Sequence, residues 1–244
     1  MLNRSKAGEP LEGQVPVGAQ GTTFYRFEYP PQFSKAALWD KGVEPHVSEC
    51  PLGMLHRGVG GRSTPLKIVI RTKRVDDIIW TVYSECILQN HVFEIFLKEG
   101  LTGFTVRPVP WRSDRKDLVP PVGPLRELVV TGWGGFARAD SGMRLKKNYP
   151  CCGRLIYRDV AKPSEVVDPE QWDGSDFFIV WPLPKLIFIS ERVKEVLARH
   201  RLKGFEIQPP FKYPLGSGEI APGRLSRYFP LDRAKELAKG QDIV

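Results

Sequence analysis

The sequence predicts an α+β protein made of two related halves, and three observations support this prediction. Residues 176–210 contain, in order, an apolar run, an amphipathic helix, a glycine and a closing strand. Much of this pattern already occurs in residues 76–110, and sliding one copy onto the other without a gap places Gly103 on Gly204, an offset of 204 − 103 = 101. The 22 Pro and 23 Gly of the 244 residues indicate many turns and short elements rather than a long helical bundle.

The two copies share their order of elements and many of their apolar positions. Each copy predicts short strands, one amphipathic helix and a closing strand, because residues at helical spacing lie between two apolar, strand-like runs. Asn90 and Ser190 are the predicted N-caps, since each side-chain oxygen can accept a hydrogen bond from a first-turn amide. The predicted elements are strand 78–83, helix 90–99 and strand 104–109 in the first copy, and strands 177–181 and 186–189, helix 191–200 and strand 205–208 in the second. The residues matched at the offset of 101 are Trp80 with Trp181, Val82 with Leu183, Leu88 with Ile189, Val92 with Val193, Leu101 with Leu202, Phe104 with Phe205, Val106 with Ile207 and Pro108 with Pro209.

The repeat divides the chain into four predicted segments. These are a flexible leader at 1–21, an N-terminal half at 22–110, a proline-rich connector at 111–125 and a C-terminal half at 126–244. Outside the two copies, the patterns predict further short elements. They are strands at 22–29, 66–72, 127–131 and 154–158, a short helix at 36–39, a turn at 132–135 and a last amphipathic helix at 231–239.

Charge and hydropathy restrict the partners and the compartment. The net charge of +8, from 36 Lys and Arg against 28 Asp and Glu, indicates an anionic partner such as nucleic acid, an acidic protein or a membrane surface, or else a solvated basic surface. The apolar runs are far shorter than the roughly 20 residues of a membrane helix. The amino terminus lacks the apolar core of a secretory signal. The four cysteines, two of them adjacent, do not form the disulfide framework of a secreted protein, so we expect a cytoplasmic protein.

No catalytic or cofactor-binding pattern is found in the sequence. Gly132–Gly135 fits neither the spacing of a phosphate-binding loop nor that of a dinucleotide-binding loop. The Gly-Ser-Gly at 216–218 lacks the flanking pattern of a serine nucleophile. The four histidines have no partner pattern, so we predict a protein that is not an enzyme and that uses no cofactor.

The cysteines form a degenerate zinc-ribbon-like knuckle in each half. A zinc ribbon uses two Cys-x-x-Cys turns, each of which directs two sulfurs onto one ion. Residues 50–53 and 149–153 look like such turns with one sulfur missing from each. Cys50, Cys152 and a histidine, His46 or His56, would make a poorer site, and ordinary loop thiols are the alternative. Because both turns are incomplete, the sequence assigns no metal.

The tryptophans divide into core and surface candidates. Trp80 and Trp181 occupy matched positions on apolar strands, which favours core packing. A second group falls in predicted loops, where aromatic and cationic side chains are typical anchors of protein interfaces. The predicted partner-binding residues are Trp111, Arg112, Arg115, Trp133 and Trp172.

From residue 23 to the carboxyl end, and most clearly in its second half, the chain resembles the double-CXXCG-motif paralogous family of myxobacteria. The segments that carry the resemblance are Asp176-Phe177-Phe178, Pro182-Leu183-Pro184, Ser190-Glu191-Arg192-Val193 and Gly204-Phe205-Glu206, together with the two knuckles. The resemblance implies an immunity protein that protects the cell from a toxin delivered by its kin. It implies no catalytic residues.

The chain departs from this family at the knuckles themselves. Cys50 matches the first cysteine of the early knuckle, but no cysteine follows at the required place. Cys152-Gly153 matches the end of the late knuckle, where Tyr149 replaces the first cysteine.

The resemblance, together with the lack of a catalytic pattern, makes the leading hypothesis a cytoplasmic protein that binds and neutralises a cognate toxin. The alternative is a basic nucleic-acid-binding module, whose affinity would fall steeply with salt.

Overall fold

The computed structural model describes residues 23–30, 37–48, 50–51, 58–158, 160–162, 165–209 and 219–244. Within these residues the chain forms three α-helices and five sheets, so the predicted α+β class is confirmed. The helices are α1 (Asn90–Lys98), α2 (Glu191–Arg199) and α3 (Leu231–Ala238). The predicted leader and residue His56 lie outside the described residues.

The strands are short, as the density of turn residues predicts. In chain order they are β1 (Phe24–Glu28), β2 (Ala37–Trp39), β3 (Pro45–Ser48), β4 (Gly58–Arg62), β5 (Ile68–Ile70), β6 (Ile78–Trp80), β7 (Cys86–Leu88), β8 (Phe104–Pro108), β9 (Trp111–Ser113), β10 (Arg126–Val130), β11 (Gly132–Phe136), β12 (Leu145–Tyr149), β13 (Arg154–Arg158), β14 (Phe177–Trp181), β15 (Ile187–Ser190), β16 (Glu206–Gln208) and β17 (Glu219–Ile220).

Two large sheets dominate the architecture. One has the strand order β6-β7-β10-β8, and the other has the order β11-β14-β15-β1-β16. Three smaller sheets, β2-β5-β9, β12-β13-β17 and β3-β4, surround them. Most pairs are antiparallel, while β11 with β14 and β5 with β9 are parallel.

Each large sheet takes one strand from the far part of the chain. Strand β1 pairs antiparallel with both β15 and β16, so a strand of the predicted N-terminal half completes the sheet of the C-terminal half. Conversely, β10 pairs antiparallel with β7 and β8. The two predicted halves therefore exchange strands across the connector.

The two sheets and two helices share one core. Its buried residues come from both parts of the chain and include Trp80, Phe96, Phe177 and Val193. Trp181 is also buried, in a second cluster beneath α3. The predicted burial of Trp80 and Trp181 is confirmed, and burial of this much aromatic area from both parts makes them mutually dependent.

Two glycines lie where the backbones of the two parts of the chain approach each other closely. A Cβ atom on Gly204 would lie 2.0 Å from the carbonyl oxygen of Ile78, and one on Gly103 would lie 2.1 Å from that of Phe177. The neighbouring amides bond across the same contacts, since Ile78 N donates to Lys203 O at 3.0 Å and Phe177 N donates to Thr102 O at 3.1 Å. Both glycines also have positive φ, which favours glycine.

The predicted N-cap residue is correct for α2 and wrong for α1. Ser190 is the N-cap of α2 as predicted, but its hydroxyl donates to Asp176 Oδ1 at 2.8 Å instead of accepting from a helix amide. The predicted N-cap Asn90 is wrong, because Gln89 holds that position and Asn90 is already helical. The side chain of Asn90 instead donates to Glu94 Oε1 at 2.6 Å.

Three other local predictions are corrected. Residues 36–39, predicted to be helical, contain β2, which pairs with the buried strand β5. The predicted turn at 132–135 lies in β11, where small side chains allow close packing, since a Cβ on Gly134 would meet the Phe178 ring at 2.4 Å. The predicted connector contains β9, the parallel partner of β5.

Among the described residues, none of the three helices has both the length and the apolar character of a membrane span.

We predict that Gly204→Ala lowers the free energy of unfolding by about 3 kcal/mol, because it combines a left-handed backbone cost of roughly 1–2 kcal/mol with overpacking of similar size. Gly174→Ala is the matched control, since Gly174 also has positive φ but no atom lies within 4 Å of the position that the alanine methyl group would take. The control should lose only about 1 kcal/mol. Urea denaturation of both variants measures the difference, and equal losses would contradict a close contact at Gly204.

The strand exchange predicts that neither half folds alone. Fragments 1–115 and 116–244, cut in an exposed segment, each lack a central strand of their large sheet. Each fragment alone should lack near-ultraviolet circular dichroism, and an equimolar mixture should regain it as a 1:1 complex. A cooperative unfolding transition of either isolated fragment would contradict this expectation.

Candidate functional site

An open cleft of about 970 Å³ lies where the two large sheets meet. Its lining includes residues of β7, β8 and β10 from one sheet and of β14 and β15 from the other. Strands β2, β3 and β4 and the segment around Arg227 and Tyr228 supply the remaining walls. The cleft therefore depends on elements that are far apart in the sequence.

A buried ion network forms the floor of the cleft. The guanidinium of Arg62 lies 2.5 Å from Glu127 Oε2 and 3.8 Å from Glu85 Oε1. The side chains of Arg62 and Glu127 are only 8% and 9% exposed, so the pair is shielded from solvent. Glu85 also accepts hydrogen bonds from Trp39 Nε1 at 3.1 Å and from the hydroxyl of Thr81. These contacts fix both carboxylates.

Burial changes the pKa of Glu127 in this network. Desolvation raises the pKa of Glu127, and the neighbouring guanidinium groups of Arg62 and Arg107 oppose this rise. Because a buried carboxylate is costly when it is unpaired, Arg62 is the group that allows Glu127 to remain in the strand. The network therefore positions side chains rather than presenting a free acid.

An aromatic pair forms the rim. The rings of Trp39 and Tyr83 lie 4.0 Å apart between centroids. Tyr83 is 58% exposed, whereas Trp39 is half-buried and is anchored through its indole nitrogen to Glu85. An exposed tyrosine held against a fixed tryptophan is a common anchor at protein interfaces, because it offers contact area with little loss of rotamer freedom.

Cationic side chains give the cleft a positive balance. Arg62, Arg107, Lys185 and Arg227 line it together with only two carboxylates, Glu85 and Glu127, which gives 4 − 2 = +2. Burial and the neighbouring charge of Arg227 lower the pKa of His46, which favours its neutral form. The cleft therefore favours an acidic or polar occupant.

The structure does not bring the predicted partner-binding residues together in an exposed surface. Trp133 is a correction, because it lies in β11 rather than in a loop, is only 4% exposed and packs edge-on against Phe136 and Phe229. Trp172 is half-buried, packs against Phe24 and donates to Ser175 O at 2.9 Å. Neither indole is placed as an exposed anchor.

The other predicted residues lie near β9. Trp111 is half-buried against the core cluster of β5, and its neighbour Arg112 is exposed. Arg112 binds Asp40 at 2.9 Å, which holds the pKa of that carboxyl below its usual range, and also contacts Asp114. Arg115 binds Asp117 at 2.8 Å. The charges of both arginines are therefore balanced by neighbouring acids.

The residues of the cleft were missed by sequence reasoning for an identifiable reason. Glu127 is the second residue of β10 and is followed by three apolar residues, and Glu85 directly precedes the apolar β7. An acid beside buried positions is a signal for a paired charge. Nothing in the local pattern shows that Arg62, in the separate hairpin β3–β4, is their partner. Tyr83 was assigned to the end of the predicted strand 78–83, whereas β6 ends at Trp80 and Tyr83 lies in the turn that follows.

Three cysteine thiols lie close enough together to hold a metal ion. Atoms Sγ of Cys50, Cys151 and Cys152 all lie within 4.8 Å of one another. His46, weighed with Cys50 and Cys152 in the sequence, is not part of this cluster. The adjacent thiols, Cys50 foremost, raise the pKa of Cys151 to about 11, and burial raises that of Cys86, so neither is an activated nucleophile.

No model of a known protein family matches this chain, and no curated protein matches it. The chemistry of the cleft and of the three thiols is what bears on function.

The floor network predicts a specific pattern of stability. Arg62→Met should lower the free energy of unfolding by about 3–5 kcal/mol, because it leaves the buried carboxylate of Glu127 without its partner. The double variant Arg62→Met/Glu127→Leu should recover most of this loss, since the more deeply buried carboxylate is removed together with its arginine and Glu85 keeps its hydrogen bonds from Trp39 and Thr81.

Arg115→Met is the matched control for this experiment. Its ion pair with Asp117 is about half exposed, so the midpoint of urea denaturation should match that of the wild type. A double-mutant cycle by urea denaturation measures the coupling, and simple additivity of the two cleft substitutions would contradict a buried pair.

Proposed function

We propose that this protein is an immunity-type binding protein that neutralises a cognate protein toxin by holding part of it in the cleft. The observation that carries the proposal is an aromatic pair, Trp39 and the exposed Tyr83, beside a cationic wall in one open cleft. Interface hot spots are enriched in these residue types, namely Trp, Tyr and Arg. The resemblance of the second half to immunity proteins agrees with this chemistry.

The order of the cleft supports binding. Trp39 is tied to Glu85, and Glu85 is tied to Arg62 and Thr81, so these side chains are already fixed in the free protein. Side chains that are fixed before binding lose less conformational entropy when a partner arrives. A preorganised cleft is what a tight neutralising complex requires.

The charges of the cleft favour a protein over a nucleic acid. Exposed Arg107 and Lys185 attract acidic side chains and accelerate association. Glu85 and Glu127 lie among these cations and would repel a continuous row of phosphates. A basic nucleic-acid-binding module, supported by the net charge of +8, is therefore the second candidate.

We place this activity in the cytoplasm. None of the four cysteines, Cys50, Cys86, Cys151 and Cys152, forms a disulfide. A reducing compartment keeps thiols in this state. The partner would accordingly be a toxin that acts inside the cell.

We further infer that the chain consists of two related halves, and the order of strands supports this. The sheet β6-β7-β10-β8 has the same order as the strands β14-β15-β1-β16 of the larger sheet, where β1 takes the place of β10. The helices α1 and α2 follow β7 and β15 respectively. Each half would then lend its first strand to the other.

The registers support the same inference and refine the alignment. Ile78 pairs with Leu88, and Phe177 pairs with Ile189, so the offset is 177 − 78 = 99 in the first strand and 189 − 88 = 101 in the second. The gapless offset of 101 therefore shifts the first strand by two residues. In this register Trp80 corresponds to Ile179 rather than to Trp181.

One side-chain contact of a carboxylate recurs at the corresponding positions. Asp77 binds His91 at 2.9 Å, and Asp176 binds Arg192 at 3.1 Å. The two acids also accept from backbone amides of the opposite half, Lys203 N and Thr102 N, each at 2.9 Å. A duplicated unit that keeps this carboxylate as a link between halves explains why both copies retain it.

We predict that the tagged protein co-purifies with the polypeptide encoded beside it, and that the cleft carries this binding. Tyr83→Ala and Arg107→Glu should each weaken the complex by about 30-fold, which corresponds to about 2 kcal/mol, because each removes an anchor at an exposed position. Isothermal titration with the purified partner measures the change.

Arg115→Ala is the control, since its charge is balanced by Asp117 away from the lining of the cleft. It should change affinity by less than about 3-fold. Equal weakening by Arg115→Ala and Tyr83→Ala would place the interface elsewhere. Purification with nucleic acid instead of a polypeptide, with affinity that falls steeply in salt, would favour the second candidate.

A further inference from the structure

Three cysteines from two distant hairpins meet at one point of the fold. Cys50 follows β3, at the end of the hairpin β3–β4, whereas Cys151 and Cys152 occupy the turn between β12 and β13. The Sγ atoms of Cys50 and Cys151 lie 3.6 Å apart, and all three sulfurs lie within 4.8 Å of one another. Two thiols from sequence positions 101 residues apart thus converge with a third.

The turn directs two neighbouring side chains to the same place. Cys152 N and Gly153 N both donate to Tyr149 O, at 3.2 and 2.9 Å, which closes the turn tightly. Gly153 has a φ of +67°, a conformation in which a β-carbon is strained. The chain therefore folds back directly after the two cysteines, and both thiols face Cys50 instead of alternating as they would along a strand.

The spacing of the sulfurs matches a tetrahedral thiolate centre. With metal–sulfur bonds of about 2.3 Å, two thiolates on one tetrahedral zinc ion lie about 3.8 Å apart. The observed Cys50–Cys151 separation of 3.6 Å is close to this value, and Cys152 needs only a small shift. A disulfide, by contrast, requires sulfurs about 2.05 Å apart.

We propose that Cys50, Cys151 and Cys152 form a three-thiolate site for a zinc-class divalent cation, whose fourth position takes a ligand from outside this cluster. Soft thiolate ligands select zinc over magnesium or calcium. Binding converts three thiols and one M²⁺ ion into a complex of three metal–sulfur bonds and releases three protons. Among the residues that the structure describes, these three cysteines are the ligands that the cluster brings together.

Cys151 is the residue that makes the site possible in this chain. The sequence pattern points to Cys50 and Cys152 alone, as remnants of two separate knuckles. In the fold these remnants form one cluster, and Cys151, outside the knuckle pattern, supplies the third sulfur. The two degenerate knuckles therefore complement each other.

The site would connect two elements that build the cleft. Hairpin β3–β4 supplies Pro45, His46 and Arg62 to the cleft. The turn at Gly153 touches Arg224, which precedes the one-turn helix Leu225–Arg227 on the opposite wall. A metal bound between the hairpin and the turn would hold both walls in place. The metal site itself does not depend on what the cleft binds.

The test is a titration of the reduced, metal-free full-length protein with Co²⁺, followed by Zn²⁺. We expect one equivalent of Co²⁺, a thiolate-to-cobalt charge-transfer band with tetrahedral visible bands, and displacement by one equivalent of Zn²⁺. Native mass spectrometry should show one zinc per chain, and saturating zinc should raise the Tm, because the ion binds the folded state.

Variants assign the ligands. Cys50→Ser, Cys151→Ser and Cys152→Ser should each weaken Co²⁺ binding by at least about 100-fold and abolish the zinc-dependent rise in Tm. Cys86→Ala is the control, because Cys86 is buried in β7 away from the cluster, and it should bind as the wild type does.

Three outcomes would overturn the proposal. They are a wild-type protein without the charge-transfer band, a Cys151→Ser variant that binds with unchanged affinity, and rapid oxidation to a Cys50–Cys151 disulfide in a protein that binds neither metal. The wild-type titration and mass measurement decide the matter even if a serine variant fails to fold.

Discussion

The fold depends on a pair of backbone contacts in which each part of the chain closes against the other. Ile78 N donates to the carbonyl before Gly204, and Phe177 N donates to the carbonyl before Gly103. At both places a side chain larger than hydrogen would meet a carbonyl oxygen at about 2 Å. Because β1 and β10 also cross between the parts, the two large sheets share one core, and we expect them to unfold as one unit.

The cleft follows from this crossing. The two sheets contact the opposite part of the chain at their first strands, and each also receives a strand from that part. The seam between them is lined by residues of both sheets. The seam is wide enough to admit polar side chains, and the chain places there an arginine that pairs with two acids. Such a network contributes little net stability compared with apolar packing, since desolvation offsets most of the attraction. Its role is therefore better explained by the order it gives to Trp39 and the cleft wall.

Much of the local structure could be predicted from the sequence, while the site could not. The helix α2, its apolar face at Val193, Val196 and Leu197, and the strand Arg154–Arg158 follow the predicted patterns, because the period of apolar residues is a local property. The prediction failed at β11, where glycines signal a turn locally but serve close packing against Phe178 in the fold. It also failed for Trp133, whose exposure depended on that turn. The exchange of β1 and β10 was beyond reach, since strand partners are set by long-range packing that no local window contains.

The same limit explains why the sequence pattern points to a different part of the chain for binding. Trp111 and the nearby arginines are residue types that are common at interfaces. The charges of Arg112 and Arg115, however, are balanced by Asp40, Asp114 and Asp117. A cluster of cationic residues in the sequence does not show which acidic side chains lie beside them in the fold. The residues around a cavity include both the cations and these neighbouring acids. The cysteines show the converse case. Each knuckle lacks a sulfur when it is considered alone, but the topology that crosses the strands also brings Cys50 to Cys151 and Cys152. Both the cleft and the thiol cluster are therefore products of the contact between the two parts of the chain, and a function assigned to either part alone would miss them.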